Sequence, residues 1–151
     1  MRDTVILRVV VKVLLPAILM FALYVQFHGE YGPGGGFQAG VAAAAAVILY
    51  GMVFGIAEAR KVVPRSIVNT MIPLGVLIFA GTGVVSILLG ENYLDYTPLG
   101  SKPAKGQHLG ILVVEFGVFV TVASTMLAIF YVFGGRADEA DEKAKNEEGG
   151  E

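Results

Sequence analysis

Four apolar runs decide what this chain can become. Residues 4–27, 36–57, 67–89 and 109–133 are each predominantly apolar. Each run has about 20 or more residues, and at an α-helical rise of about 1.5 Å per residue that length crosses a hydrocarbon layer of roughly 30 Å. Inside lipid a backbone must satisfy its own polar groups, so runs of this length read as helices. Composition agrees: 55% of the residues are hydrophobic and only 16% charged, where soluble domains carry about a quarter charged residues. The expected fold is an all-α integral membrane protein with four transmembrane helices in residues 1–135. A charged segment, residues 136–151, follows it.

The basic residues give an orientation. Arg2, Arg8 and Lys12 lie at the first run, and Arg60, Lys61 and Arg65 lie between the second and third. The first connection contains no Lys or Arg, and the third has only Lys102 and Lys105 beside Glu91 and Asp95. Basic loops stay cytoplasmic, which predicts that both termini and the Arg60–Arg65 loop lie inside the cell. Tyr93 and Tyr96 then suit the outer aromatic belt. The first run has no short apolar core with a small-residue cleavage site, so it is expected to remain as a helix. The tail "RADEADEKAKNEEGGE" has no apolar periodicity. It reads as a solvated, disordered end, with an acidic docking tail as the alternative.

Several chemistries are excluded. There is no cysteine, which removes disulfides, iron–sulfur clusters, zinc–thiolate sites and thiol catalysis. The two histidines, His28 and His108, are thin material for a metal centre, and no nucleophile–base pair or cofactor motif appears. No cofactor, resident metal, nucleic acid partner or enzymatic activity of its own is expected.

Small residues mark the helix faces. On the second run Gly36, Gly40, Ala43, Ala44, Val47, Gly51 and Gly55 fall within about a third of the helix circumference. Gly36/Gly40 and Gly51/Gly55 are small-xxx-small steps that allow close helix approach. The fourth run carries Gly110, Gly117 and Ser124 at a seven-residue period, and the third carries Gly75, Gly81 and Gly83. Four helices have little interior to fill, so some of these faces are expected to meet other subunits.

Polar residues inside such runs are costly and therefore informative. Glu115 lies six residues into the fourth run, about 9 Å below its start. Hydrocarbon disfavours its charged form unless a cation or a second helix compensates. It reads either as a proton- or cation-binding carboxylate or as a residue hydrogen-bonded to a neighbouring helix. Lys12, four residues before Pro16, either snorkels to the cytoplasmic interface or joins a buried ionisable chain. His108 opens the fourth run and suits the interface. The stretch "FHGEYGPGGGFQAG" (27–40) lacks the strand, lysine and spacing of a phosphate-binding loop. It reads as a tight entry into the second helix, with Pro33 tolerated in its first turn. His28 and Glu30 would face the positive end of that helix. Either this is only a compact turn, or it lines an ion entrance in a larger assembly.

"PGGGFQAG" at Pro33–Gly40, a preceding histidine, four spans and "EFGVFVTV" at Glu115–Val122 together resemble the B subunit of multisubunit Mrp-type cation/proton antiporters, over about residues 10–133. Pro33, Gly34, Gly35, Gly36 and Phe37 carry the family's motif, and Glu115 stands where its pattern has an aspartate. The resemblance implies a non-catalytic subunit of the cell membrane, working with larger subunits that exchange sodium for protons. The same module occurs in archaeal membrane-bound hydrogenase and its sulfur-reducing relative. His28 stands two residues further from Pro33 than the family pattern has it, and Ala39 replaces a glycine. Those departures point toward the hydrogenase-linked branch. On this reading Glu115, His28, Glu30 and Lys12 are candidates for a sodium or proton path, and Gly40, Gly51, Gly55, Gly110 and Gly117 are helix-packing positions. The alternative is a purely structural subunit with no ion-path residues.

Overall fold

The computed structural model of the chain describes residues 5–29 and 33–148, the side chains of 137–148 excepted. It is helical: α1 is Val5–His28, α2 Gly36–Phe54, α3 Ile56–Val62, α4 Arg65–Leu88 and α5 Pro103–Glu148, with a single 3-10 turn at Thr97–Leu99. Among the described residues four stretches are long and apolar enough to cross a membrane: α1, α2, α4 and the Pro103–Arg136 part of α5.

Three boundaries differ from the sequence expectation. The second run stops at Phe54, because Gly55 adopts φ 101° and ends α2 before the short α3 begins. A glycine at φ > 0 is a normal helix stop, whereas read as part of a Gly51/Gly55 step it looked helical. Pro33 precedes the first helical residue of α2 by three positions rather than sitting in its first turn. Finally, α5 runs on through the charged tail to Glu148, where a disordered end was expected. That segment is rich in Ala, Glu and Lys, which favour helix, and it continues a helix already nucleated in the membrane span.

The helices form a row rather than a closed bundle. α5 packs on α4 along one side and on α2 along the other, α2 packs on α1, and α1 touches α5 only slightly. α2 therefore buries two faces. Gly36, Gly40, Ala44 and Gly51 are buried on its predicted stripe, and Ala39, Ala46 and Val53 are buried as well. On α5 the seven-residue seam is buried at Gly110, Gly117 and Ser124 and continues to Tyr131.

Glycines set the helix spacing. A Cβ at Gly40 would come within 2.8 Å of the Phe119 carbonyl oxygen, and one at Gly117 within 2.8 Å of the Gly75 carbonyl. Gly51 faces the Phe130 ring, and Gly110 faces the Tyr96 ring. Each contact is between apolar or backbone atoms at close range, the packing on which helix association in lipid depends.

Tyr131 locks one end of the row. Its hydroxyl donates to the carbonyls of Val63 (2.9 Å) and Ala59 (3.2 Å), and its ring packs with Ala44, Ala59, Val68 and Leu127. Arg60 Nη2 donates to the Tyr131 carbonyl at 3.0 Å, and its guanidinium lies 5.7 Å from the ring centre. At the other end the 90–102 loop is pinned by Tyr93 on Gly83 and Tyr96 on Gly110. Asp95 organises this loop, accepting from the Thr97 hydroxyl (2.6 Å), the Thr97 amide (3.1 Å) and Gln107 Nε2 (3.3 Å). The Thr97 donors, with help from Gln107, hold its carboxyl below the usual carboxylate range.

Candidate functional site

The two sequence signals that stood 80 residues apart meet in space. The Pro33–Gly36 backbone runs between the end of α1 and the first third of α5. Gly34 lies against the Val25 carbonyl of α1 and against Gly29 just beyond its end, and the Gly35 amide donates to the Val25 carbonyl at 3.3 Å. Gly35 adopts φ 125°, and a Cβ there would stand 3.1 Å from Glu115 Oε1. Gly36 presses on the backbone of Glu115 itself, where its added Cβ would overlap the carbonyl oxygen. The glycine run thus lets a helix start press against both neighbours, which larger residues would prevent.

This geometry brings a carboxylate to the start of a 19-residue helix. The amides of a first helical turn have no acceptor further up the helix, and the dipole there favours negative charge. Glu115 is half-buried and lines a hollow of about 20 Å³ with Gln26, Phe27, His108, Ile111 and Leu112. A water needs roughly 10–15 Å³ of such space, so the hollow suits one water or one small ion.

Gln26 was missed from the sequence. It is 5% exposed, and its Oε1 accepts no hydrogen bond from the described residues. Leaving a buried amide oxygen unpaired costs about 1–3 kcal/mol, and natural structures rarely retain one without a reason. The available signal was its position: Gln26 shares the buried stripe of α1 with Val11, Ala22 and Val25. A polar residue there must face protein rather than lipid.

Apart from His108, which shares the hollow with Glu115, the other candidates separate. His28 stacks on Tyr24 with ring centres 4.9 Å apart and borders an open hollow of about 380 Å³ with Met20, Leu23 and Phe27. His108 is exposed and lies two turns before Glu115 on the same face of α5. Glu30 lies outside the described residues. Lys12 stands fourteen positions before Gln26, about 21 Å along α1, and so belongs to the far end of the row. Phe37 is exposed on α2. Among the described residues no three His, Asp or Glu side chains gather as a metal site.

Comparison with known proteins gives this arrangement a family. Residues 6–128 match the family model described as a domain related to the MnhB subunit of Na+/H+ antiporter. The B subunit of a Na(+)/H(+) antiporter of Alkalihalophilus pseudofirmus is 32% identical over 134 residues, 82% of this chain and 92% of that one. The "Putative antiporter subunit mnhB2" of Staphylococcus haemolyticus is 31% identical over 89% of this chain and 96% of its own length. Its namesake in Staphylococcus epidermidis is 32% identical over 90% and 99%. The four apolar helices and these relatives make the chain a multi-pass protein of the cell membrane. The chain belongs to the MnhB family of Na+/H+ antiporter subunits.

Proposed function

We propose that this chain is the B subunit of a sodium/proton antiporter complex, with both termini cytoplasmic, and that Glu115 is a carboxylate on its proton or sodium route. One observation carries the reading: the Pro33–Gly36 stretch packs against Glu115, and Glu115 lines a hollow of one-water size together with Gln26, whose buried Oε1 has no partner among the described residues. A carboxylate there can alternate between a proton and a cation, with the start of α2 tempering the charge left behind. Gln26 offers an oxygen, and His108 lies two turns nearer the start of α5. On this reading the work of exchange is shared with the other membrane subunits. The three relatives named above are antiporter subunits, and the expected coupling to a hydrogenase or sulfur reductase draws no support from them.

The test is Glu115→Gln in the intact complex. The substitution is nearly isosteric, so assembly is expected to be unchanged while sodium-driven proton movement in membrane vesicles falls at least tenfold. Glu115→Asp should keep most of it. Normal assembly with normal exchange would refute the transport role and leave the purely structural reading.

A further inference from the structure

Arg8 and Lys12 take no part in the Glu115 site, yet they are not scattered surface charges. They lie one helical turn apart on α1 and converge on one ring: Arg8 Cζ is 5.1 Å and Lys12 Nζ 5.6 Å from the centre of Phe54, at the end of α2. The two charges are therefore no more than about 11 Å apart. Neither is paired with a carboxylate among the described residues, whereas Lys61 is paired with Glu58. Both are exposed. With Val5 and Val9 they line an open groove of about 310 Å³.

Two like charges held together in an apolar span are unfavourable unless an anion joins them. The groove also says which anion. Its lining is half cationic and half aliphatic, and Val5, Val9 and Val13 are 73%, 56% and 69% exposed along the same helix. A free phosphate would leave those valines in contact with nothing suited to them. An amphiphile satisfies both, with its head on the cations and its chains along the valines. We propose that Arg8, Lys12 and Phe54 form a binding site for the phosphate of an anionic phospholipid, in the leaflet where α1 begins. Phe54 holds the two cations in place through cation–π contact, and the acyl chains run down the exposed side of α1.

Native mass spectrometry of the full chain, released from nanodiscs holding equal phosphatidylglycerol and phosphatidylcholine, tests this. Phosphatidylglycerol should be retained selectively. A basic residue at an anionic surface contributes about a fivefold affinity factor, so Arg8→Gln with Lys12→Gln should weaken retention roughly thirtyfold. Lys102→Gln with Lys105→Gln should leave it unchanged, and the swap Arg8→Lys with Lys12→Arg should largely preserve it. Equal retention of the two lipids by the natural chain would overturn the proposal, as would unaltered retention by the glutamine pair. Displacement of the lipid by inorganic phosphate would assign the site to a free anion instead. Should the glutamine pair fail to fold, lipid selectivity and phosphate competition on the natural chain still decide. Loss of the bound lipid on assembly into the antiporter complex would assign the groove to a protein partner and likewise refute it.

Discussion

Gly36→Ala tests how tightly the start of α2 is held against α5. The added Cβ meets three backbone atoms of Glu115: it overlaps the carbonyl oxygen and comes to 2.8 Å from the carbonyl carbon and 3.1 Å from Cα. No side chain can swing aside to relieve this. Carbon and oxygen ordinarily approach to about 3.3 Å, so α2 must retreat by about 1 Å. Retreat also loosens Gly40, whose own close neighbour is the Phe119 carbonyl one turn further along. Overpacking of this kind costs about 1–3 kcal/mol. The gain in helix propensity from Gly to Ala is at most about 1 kcal/mol and smaller in a first turn, so the net expectation is a loss of about 1–2 kcal/mol. Gly81→Ala is the control. It makes the same chemical change in the interior of α4, where a Cβ meets nothing within 4 Å, and should be neutral or stabilising by up to about 1 kcal/mol. Equilibrium unfolding in mixed detergent micelles, followed by circular dichroism, measures both. Gly36→Ala as stable as the natural chain, or Gly81→Ala as damaging, would refute the contact geometry.

Three further outcomes are expected. Tyr131→Phe removes the hydroxyl that bridges the Ala59 and Val63 carbonyls and should destabilise the chain by about 1 kcal/mol in the same unfolding assay. Gln26→Leu removes a buried oxygen that has no partner among the described residues, so folding stability should hold or rise slightly while antiport by the complex falls; unchanged antiport would show that the amide serves only packing. Asp95 has its carboxyl held below the usual range by the Thr97 donors. A depressed value in the folded state means that its contribution is complete above the unfolded value of about 4 and disappears as pH falls through the folded one. Protection of the 90–102 amides, measured against their intrinsic exchange rates, should therefore hold at neutral pH and fall only in strong acid. Asp95→Ala should lower that protection at neutral pH as well.

The spans were legible because hydrophobic length is a one-dimensional property. Their arrangement was not. A row and a bundle use the same helices and the same small-residue stripes; what separates them is that α2 buries a second face, at Ala39, Ala46 and Val53, and alanines on an apolar helix look alike on every side. Glu115 and the glycine run could each be picked out by residue type, but nothing local told that they touch, since the contact joins α2 to α5 across 80 residues. Gly55 misled for a related reason. Spacing made it the end of a packing step, while its backbone angle made it a stop. Lys12 could be weighed only as a charge in an apolar run, because its partner, Phe54, comes from another helix.

The most direct test of the account is whether Glu115 changes protonation when sodium arrives. Infrared difference spectra of the membrane-reconstituted complex, recorded with and without sodium at constant pH, should show a protonated carboxyl band that disappears on sodium addition. That band should be missing from Glu115→Gln. If the natural complex and the variant give the same difference spectrum, Glu115 is not on the route, and its meeting with the glycine run is packing alone.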